Sequence, residues 1–186
     1  YSASQENQSN ELYFYHANYT GSILAGYYNG YSGVVPDATV YCAGYKTNAI
    51  EPVDALISKG INVLSISLAI APEGVYNGYG YFSKYLDYIS FYYKTLICIG
   101  SSNSSSTPSG MPESAFAYNA ITVGNINDMN TLEQSDDLLD IQSLYNVSNT
   151  KAYKPDLCAP GTCVKTSYTP NGGGGTSAAT PVVSGI

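Results

Sequence analysis

Apolar residues along this chain recur with two different periods. Nearly continuous apolar runs occupy residues 37–44 (DATVYCAG), 61–68 (INVLSISL), 95–101 (TLICIGS) and 119–126 (NAITVGNI). Runs of that length read as strands buried on both faces. Between them, residues 49–60 (AIEPVDALISKG) place apolar side chains at helical spacing and end in Gly60, a common helix stop. Residues 81–94 (YFSKYLDYISFYYK) read as an amphipathic helix. Strands separated by helices imply right-handed βαβ units. The expected fold is therefore α/β, three-layered, with a mostly parallel β-sheet covered by helices on both faces. The polar, Gly/Ser-rich run 100–110 (GSSNSSSTPSG) directly follows the third strand. Open parallel sheets gather their sites at such carboxyl ends.

With 186 residues, 44% hydrophobic and 11% charged, the chain suits one globular domain with a sizeable core. Its net charge is −7, with seven Lys+Arg, so no basic patch is available to neutralise phosphates and nucleic acid is excluded as a partner. No apolar run reaches the length of a membrane span. The first residues lack the basic start and apolar middle of a signal peptide, so the chain is either cytosolic or stripped of an upstream segment. Tyr (20 residues), Asn and Ser stand where Lys and Glu usually cover a surface. That composition is commoner in exported proteins, and a secreted or cell-surface location is expected.

Four cysteines, Cys42, Cys98, Cys158 and Cys163, form no CxxC pair, and the single histidine lies elsewhere. Cys42 and Cys98 sit in apolar runs and read as buried free thiols. The acidic residues Asp128, Asp136 and Asp137 lack calcium-loop spacing and read as a solvated loop. Neither a metal site nor a cofactor is implied.

One stretch resists a bland reading: GGGGTSAATP, residues 172–181. Four consecutive glycines carry a high conformational entropy cost. They suit a linker, tight packing of small residues, or a bend around a bound molecule. The following SAATPVVSGI suits a tightly packed helix, with Pro181 in its first turn. Ser177 then sits at a helix N-terminus, where backbone N–H groups and the dipole favour developing negative charge. Acyl transfer needs a nucleophile beside such donors, and the serine needs a base. The sole histidine, His16, opens another small-residue segment (HANYTGSILAG), expected to be a helix starting at His16.

GGTSAATPVVSGI resembles the nucleophile motif Gly-Thr-Ser-x-Ala-Thr-Pro of the subtilisin-like serine peptidases. Further blocks resemble that family in its own order. HANYTGSILAG with GVVPDATVYCAGY is similar to its histidine helix and following strand. INVLSISLA is similar to its substrate-pairing strand, and ICIGSSNSSS to the strand ending in Ala-Gly-Asn. MPESAFAYNAITVGNIND is similar to its Tyr-Pro-Ala-Ser segment, and KPDLCAPGTCVKTS to its Lys-Pro-Asp-x-x-Ala-Pro-Gly block. The resemblance spans residues 16–186.

It implies a serine endopeptidase with Ser177 as nucleophile, His16 as base and Asn103 as oxyanion donor, steadied by Thr176. A peptide or protein substrate would bind as an extended strand against Ser67, Leu68 and Ala69 on one side and Gly100, Ser101 and Ser102 on the other. The glycines would let the backbone pass under that peptide. Gly110 would floor the first-subsite pocket, favouring a large apolar residue before the cut. Asn18, Asn103 and Asn146 head N-x-Ser/Thr triplets, and an oxyanion-donating Asn103 could not carry a glycan.

The chain departs from the family pattern at positions that bear on the site. Ala17-Asn18-Tyr19 replaces Gly-Thr-His after the histidine, and Ala69-Ile70 replaces Gly-Gly after Ser-Leu. The family's triad Asp ends an early strand about thirty residues before the histidine, whereas only Glu6 and Glu11 are acidic before His16. No triad carboxylate is assigned. Residues 1–186 thus read as one subtilisin-like domain cut at both ends. The strands at 39–43 and 62–66 would then have open edges that close on each other, pair with another chain, or receive a separate fragment. The alternative function is an inactive relative that binds peptides or a partner protein through the same groove.

Overall fold

The computed structural model describes residues 8–44, 48–71, 74, 76–104, 110–145 and 153–186. The elements, in order, are α1 (Gln8–Ala25), the short strands β1 (Tyr27–Tyr28) and β2 (Tyr31–Ser32), α2 (Ile50–Ile57), β3 (Val63–Ile66), α3 (Tyr81–Tyr93), β4 (Leu96–Gly100), β5 (Ala120–Asn127), β6 (Leu138–Leu139), β7 (Leu157–Pro160) and α4 (Thr176–Gly185). β1 and β2 form a small antiparallel hairpin.

The main sheet is mostly parallel. β3 pairs with β4 from Val63↔Leu96 to Ile66↔Ile99, and β4 with β5 from Ile97↔Ala120 to Gly100↔Val123. β7 runs parallel to β5 from Val123↔Leu157 to Ile126↔Pro160, and β6 pairs antiparallel with the end of β5. Alternation along the strands sorts side chains to two faces. Leu64, Ile66, Ile97 and Ile99 pack with Val53 and Ile57 of α2 and Phe82, Leu86 and Ile89 of α3. On the other face, Val123 and Ala159 pack on Ala179 of α4, and α1 covers α4 through Tyr19, Ile23 and Ala178. The expected three layers are thus present. Truncating the fully buried Leu86 to alanine should destabilise the fold by about 2–5 kcal/mol, read by chemical denaturation.

The Lys-Pro-Asp block anchors β7. Lys154 Nζ donates to Ala120 O (3.0 Å) and pairs with Asp156 (2.6 Å), whose carboxylate accepts from Thr122 N–H (2.7 Å).

Two expected elements differ. α1 starts at Gln8, so His16 lies inside a helix rather than at its start. The run 37–44 is not a strand, and Val40, Tyr41 and Cys42 are exposed. The physical reason is the lack of a ladder partner. A cleft of about 1280 Å³ separates residues 38–44 from β3 and is walled by Leu24, Val53, Leu56, Leu64 and Ile66. Apolar, β-prone composition does not make a strand without a neighbour to bond. Cys42 is therefore not the buried thiol its apolar run suggested; Cys98 is buried, and Cys158 and Cys163 are exposed. Among the described residues no helix is long and apolar enough to cross a membrane.

Candidate active site

Beyond the carboxyl ends of β3 and β4 lies a cleft of about 200 Å³. It is lined by His16, Ser67, Leu68, Ala69, Gly100, Ser102, Asn103, Thr176 and Ser177. Nine of the eleven positions singled out in the sequence therefore converge on one cavity, contributed by α1, the β3 and β4 ends, and α4. Ser101 and Gly110 do not line it. Ser101 is buried, its hydroxyl has no partner among the described residues and its N–H is bonded to Val123 O (2.8 Å). Gly110 abuts Asn77, and a Cβ there would lie 2.2 Å from the Asn77 amide nitrogen. Asn77 thus occupies the space a side chain at 110 would need. Residues 105–109 of the Gly/Ser-rich loop and Asn146 lie outside the described residues.

Ser177 is the second residue of α4, directly after Gly175 and Thr176. Gly175 has φ +98°, and a Cβ there would sit 2.9 Å from Asn103 Nδ2. Glycine is thus required both by the backbone and by the neighbouring amide. Gly173 is pressed on the Tyr19 ring, where a Cβ would approach to 2.9 Å. Two of the four glycines thus make room for the chain's own side chains, which joins α1 and the Ser177 turn closely.

Asn103 Oδ1 accepts from Thr176 N–H at 3.1 Å. That bond fixes the amide orientation and assigns Nδ2 as its donor end. The Asn103 loop is itself held from behind. Leu144 N–H donates to Ser102 O (3.0 Å), Ser104 N–H to Gln142 O (2.8 Å), and Ser143 Oγ accepts from Asn125 N–H (2.9 Å).

Pro181 is in the second turn of α4, not the first as its sequence position suggested. Lacking an N–H, it leaves Ser177 O without the usual i→i−4 donor. The Ser67 hydroxyl takes that role, donating to Ser177 O at 3.0 Å. In return Ser177 Oγ–H donates to Ser67 O at 3.2 Å. The Ser177 hydroxyl thus rests on the carbonyl of the neighbouring segment. Ser67→Ala should cost about 1 kcal/mol, the net worth of one hydrogen bond. In a Pro181→Ala background, where residue 181 regains an N–H, the same change should cost measurably less. Equal costs in a denaturation double-mutant cycle would contradict this assignment.

His16 is half-buried, and desolvation lowers its pKa below the usual 6.5. Burial thus favours the neutral imidazole, the state a base requires. Among the described residues no carboxylate pairs with it. His16, Ser67 and Leu68 also line the 1280 Å³ cleft, so the two cavities adjoin at the histidine. Asp136 accepts from Thr131 Oγ1, and among the described residues no group of three His, Cys, Asp or Glu could hold a metal ion.

The Pro181–Ser67 link and the support behind Asn103 are details that the sequence motifs did not reveal. Proline inside a small-residue helix was the available signal for the first; nothing in IQSL signalled the second.

The fold and cleft together define an α/β protein with a serine at a helix N-terminus, beside the carboxyl ends of a parallel sheet. The model of the subtilase family matches residues 1–186, and the chain belongs to that family. Three solved structures share the fold. The prenylagaramide maturation protease PagA matches with TM-score 0.66 and 19% identity, covering 91% of this chain and 61% of that one. The S218A mutant of the protease domain of PatA matches with TM-score 0.65 and 16% identity, covering 91% and 62%. Subtilase cytotoxin SubAB matches with TM-score 0.60 and 19% identity, covering 91% and 60%. The chain thus spans about three fifths of the length of these structures. No curated protein sequence matches.

Proposed function

We propose that residues 1–186 carry the catalytic serine, base and oxyanion donor of a serine endopeptidase. The observation supporting this is the convergence of His16, Asn103 and Ser177 on one cleft from three distant parts of the chain. An extended peptide lies between Ser67–Ala69 on one side and Gly100 and Ser102 on the other. It pairs by backbone hydrogen bonds, with Thr176 beneath it. Ser177 Oγ leaves Ser67 O and attacks the scissile carbonyl carbon as His16 takes its proton. The oxyanion receives hydrogen bonds from Asn103 Nδ2 and Ser177 N–H. His16 then protonates the leaving amine, and water hydrolyses the acyl-enzyme by the same steps. The test is peptide turnover by the native protein, which Ser177→Ala should abolish.

Because desolvation depresses the His16 pKa, its neutral form persists below pH 6.5. The acid limb of kcat/KM should therefore fall below pH 6.5 when no carboxylate contacts His16. A carboxylate at the histidine stabilises the imidazolium and should move that limb upward. A limb that stays fixed when the carboxylate is supplied would contradict this.

We place that carboxylate on a β-strand from outside the described residues. It would enter the 1280 Å³ cleft along β3, whose outer edge has no strand partner among the described residues. A second reading is a domain that binds peptides without cleaving them. It is favoured by the Ser177 hydroxyl resting on Ser67 O and the absence of a carboxylate at His16 among the described residues. A secreted or cell-surface location is supported by the Tyr-, Asn- and Ser-rich composition.

A further inference from the structure

Glu113 is fully buried, yet among the described residues no Lys or Arg pairs with it. A buried carboxylate is costly unless it is paired or well hydrogen-bonded. Its Oε1 accepts from Phe82 N–H (2.7 Å) at the start of α3, where the helix dipole favours negative charge. Its Oε2 has no hydrogen-bond partner among the described residues and is pressed on Gly80, where a Cβ would come within 1.8 Å. A position that only filled space would be met by the alanine of the Tyr-Pro-Ala-Ser segment it resembles.

The surroundings give Glu113 a role. Residues 67–80 connect β3 to α3 and begin with the cleft-lining Ser67, Leu68 and Ala69. Three anchors tie this connection to residues 110–114. Ile70 N–H donates to Ser114 Oγ (3.3 Å), and Ser114 N–H returns a bond to Ile70 O (3.2 Å). Asn77 N–H donates to Met111 O (2.8 Å), and Met111 N–H donates to Asn77 Oδ1 (3.1 Å). At the far end Glu113 accepts from Phe82 N–H through its carboxylate and from the Ser83 hydroxyl through its carbonyl. One short strap therefore clamps the connection at its start, middle and end.

We propose that Glu113 is a positioning residue for peptide binding. Its carboxylate fixes the start of α3, which sets the strap, and through Ser114 the strap sets Ile70 and the Ser67–Ala69 edge. The inference rests on the reading that this edge pairs with a peptide. Ser114 was not among the candidate residues, and Glu in place of Ala was the one sign of the strap in the sequence.

The test uses the full chain with Ser177→Ala, so that peptide binds without turnover. Amide hydrogen exchange is followed at 67–71, at 80–83 and in β4, and affinity for an extended peptide is measured by fluorescence anisotropy. Glu113→Ala should speed exchange about tenfold or more at both 67–71 and 80–83, leave β4 unchanged, and weaken the peptide at least about fivefold. Glu113→Gln keeps an acceptor for Phe82 N–H and should restore both readouts to within about twofold. Faster exchange confined to 80–83 would make Glu113 a local helix cap and overturn the proposal. Should Glu113→Ala fail to fold, Ser114→Ala must by itself speed exchange at 67–71 and weaken the peptide; no change there would equally overturn it. If the parent binds no peptide at all, the reading of the cleft fails, while the exchange rates still decide the role of Glu113.

Discussion

Purified residues 1–186 alone should turn over peptides about four orders of magnitude more slowly than the same chain supplied with a strand that brings a carboxylate to His16. In triad hydrolases the carboxylate holds the imidazole in its productive tautomer and stabilises the imidazolium. Its loss from an otherwise intact site costs about 10⁴ in kcat. His16 has a desolvated ring with no carboxylate partner among the described residues, and it sits where the small cleft opens into the large one. The geometry of the large cleft argues for a strand as the carrier. One wall is the outer edge of β3, four residues that rise about 13 Å. Residues 38–44 line the cleft as well. Leu24, Val53, Leu56, Leu64 and Ile66 give the cleft an apolar stretch of lining, where burial of β-branched, apolar side chains is favourable at roughly 25 cal/mol per Å². The expected results are recovery of turnover on adding an apolar peptide that ends in Asp, little recovery with the Asn version, and an upward shift of the acid limb. Robust turnover by residues 1–186 alone, abolished by Ser177→Ala, would show that another group orients His16.

Asn103→Ala should lower turnover by about two to three orders of magnitude while leaving the fold intact. That is the scale known for removing one side-chain oxyanion donor in subtilisin. Asn103 Oδ1 is held by Thr176 N–H, so the donor end of the amide is fixed before substrate arrives. A preorganised donor costs no reorganisation as charge develops, which is why its loss should appear in kcat. The loop that carries Asn103 is held by backbone bonds from Ser104 and Leu144 that the substitution does not touch. The check is steady-state kinetics with thermal unfolding alongside. Parent-like turnover would remove Asn103 from the oxyanion site.

The parts of the fold legible in the sequence were those with local signals. β3 and β4 fall within the apolar runs 61–68 and 95–101, β5 overlaps 119–126 and runs one residue further to Asn127, and α2 and α3 fall within their periodic segments. The run 37–44 carries an equally strong apolar signal, but strand formation also needs a bonding neighbour, which no local pattern reports. The start of α1 was missed because the helix extends upstream of His16 into polar residues without a clear apolar period. At the site, the Gly-Thr-Ser-x-Ala-Thr-Pro spacing and the single histidine picked out residues that do share a cleft. Contacts across long separations were not legible. Gly110 looked open in the sequence because nothing there says that Asn77 packs against it. Likewise the Ser67 hydroxyl on Ser177 O joins residues 110 positions apart and follows only from the missing N–H of Pro181.

In the proposed mechanism Ser177 is a nucleophile activated by His16. A fluorophosphonate probe applied to the native protein, with the labelled residue located by peptide mass mapping, tests it most directly. The expected result is label on Ser177, slowed at least about a hundredfold by His16→Ala, as follows when the general base is lost. A folded sample that takes up no label, or that labels equally well without the histidine, would contradict it.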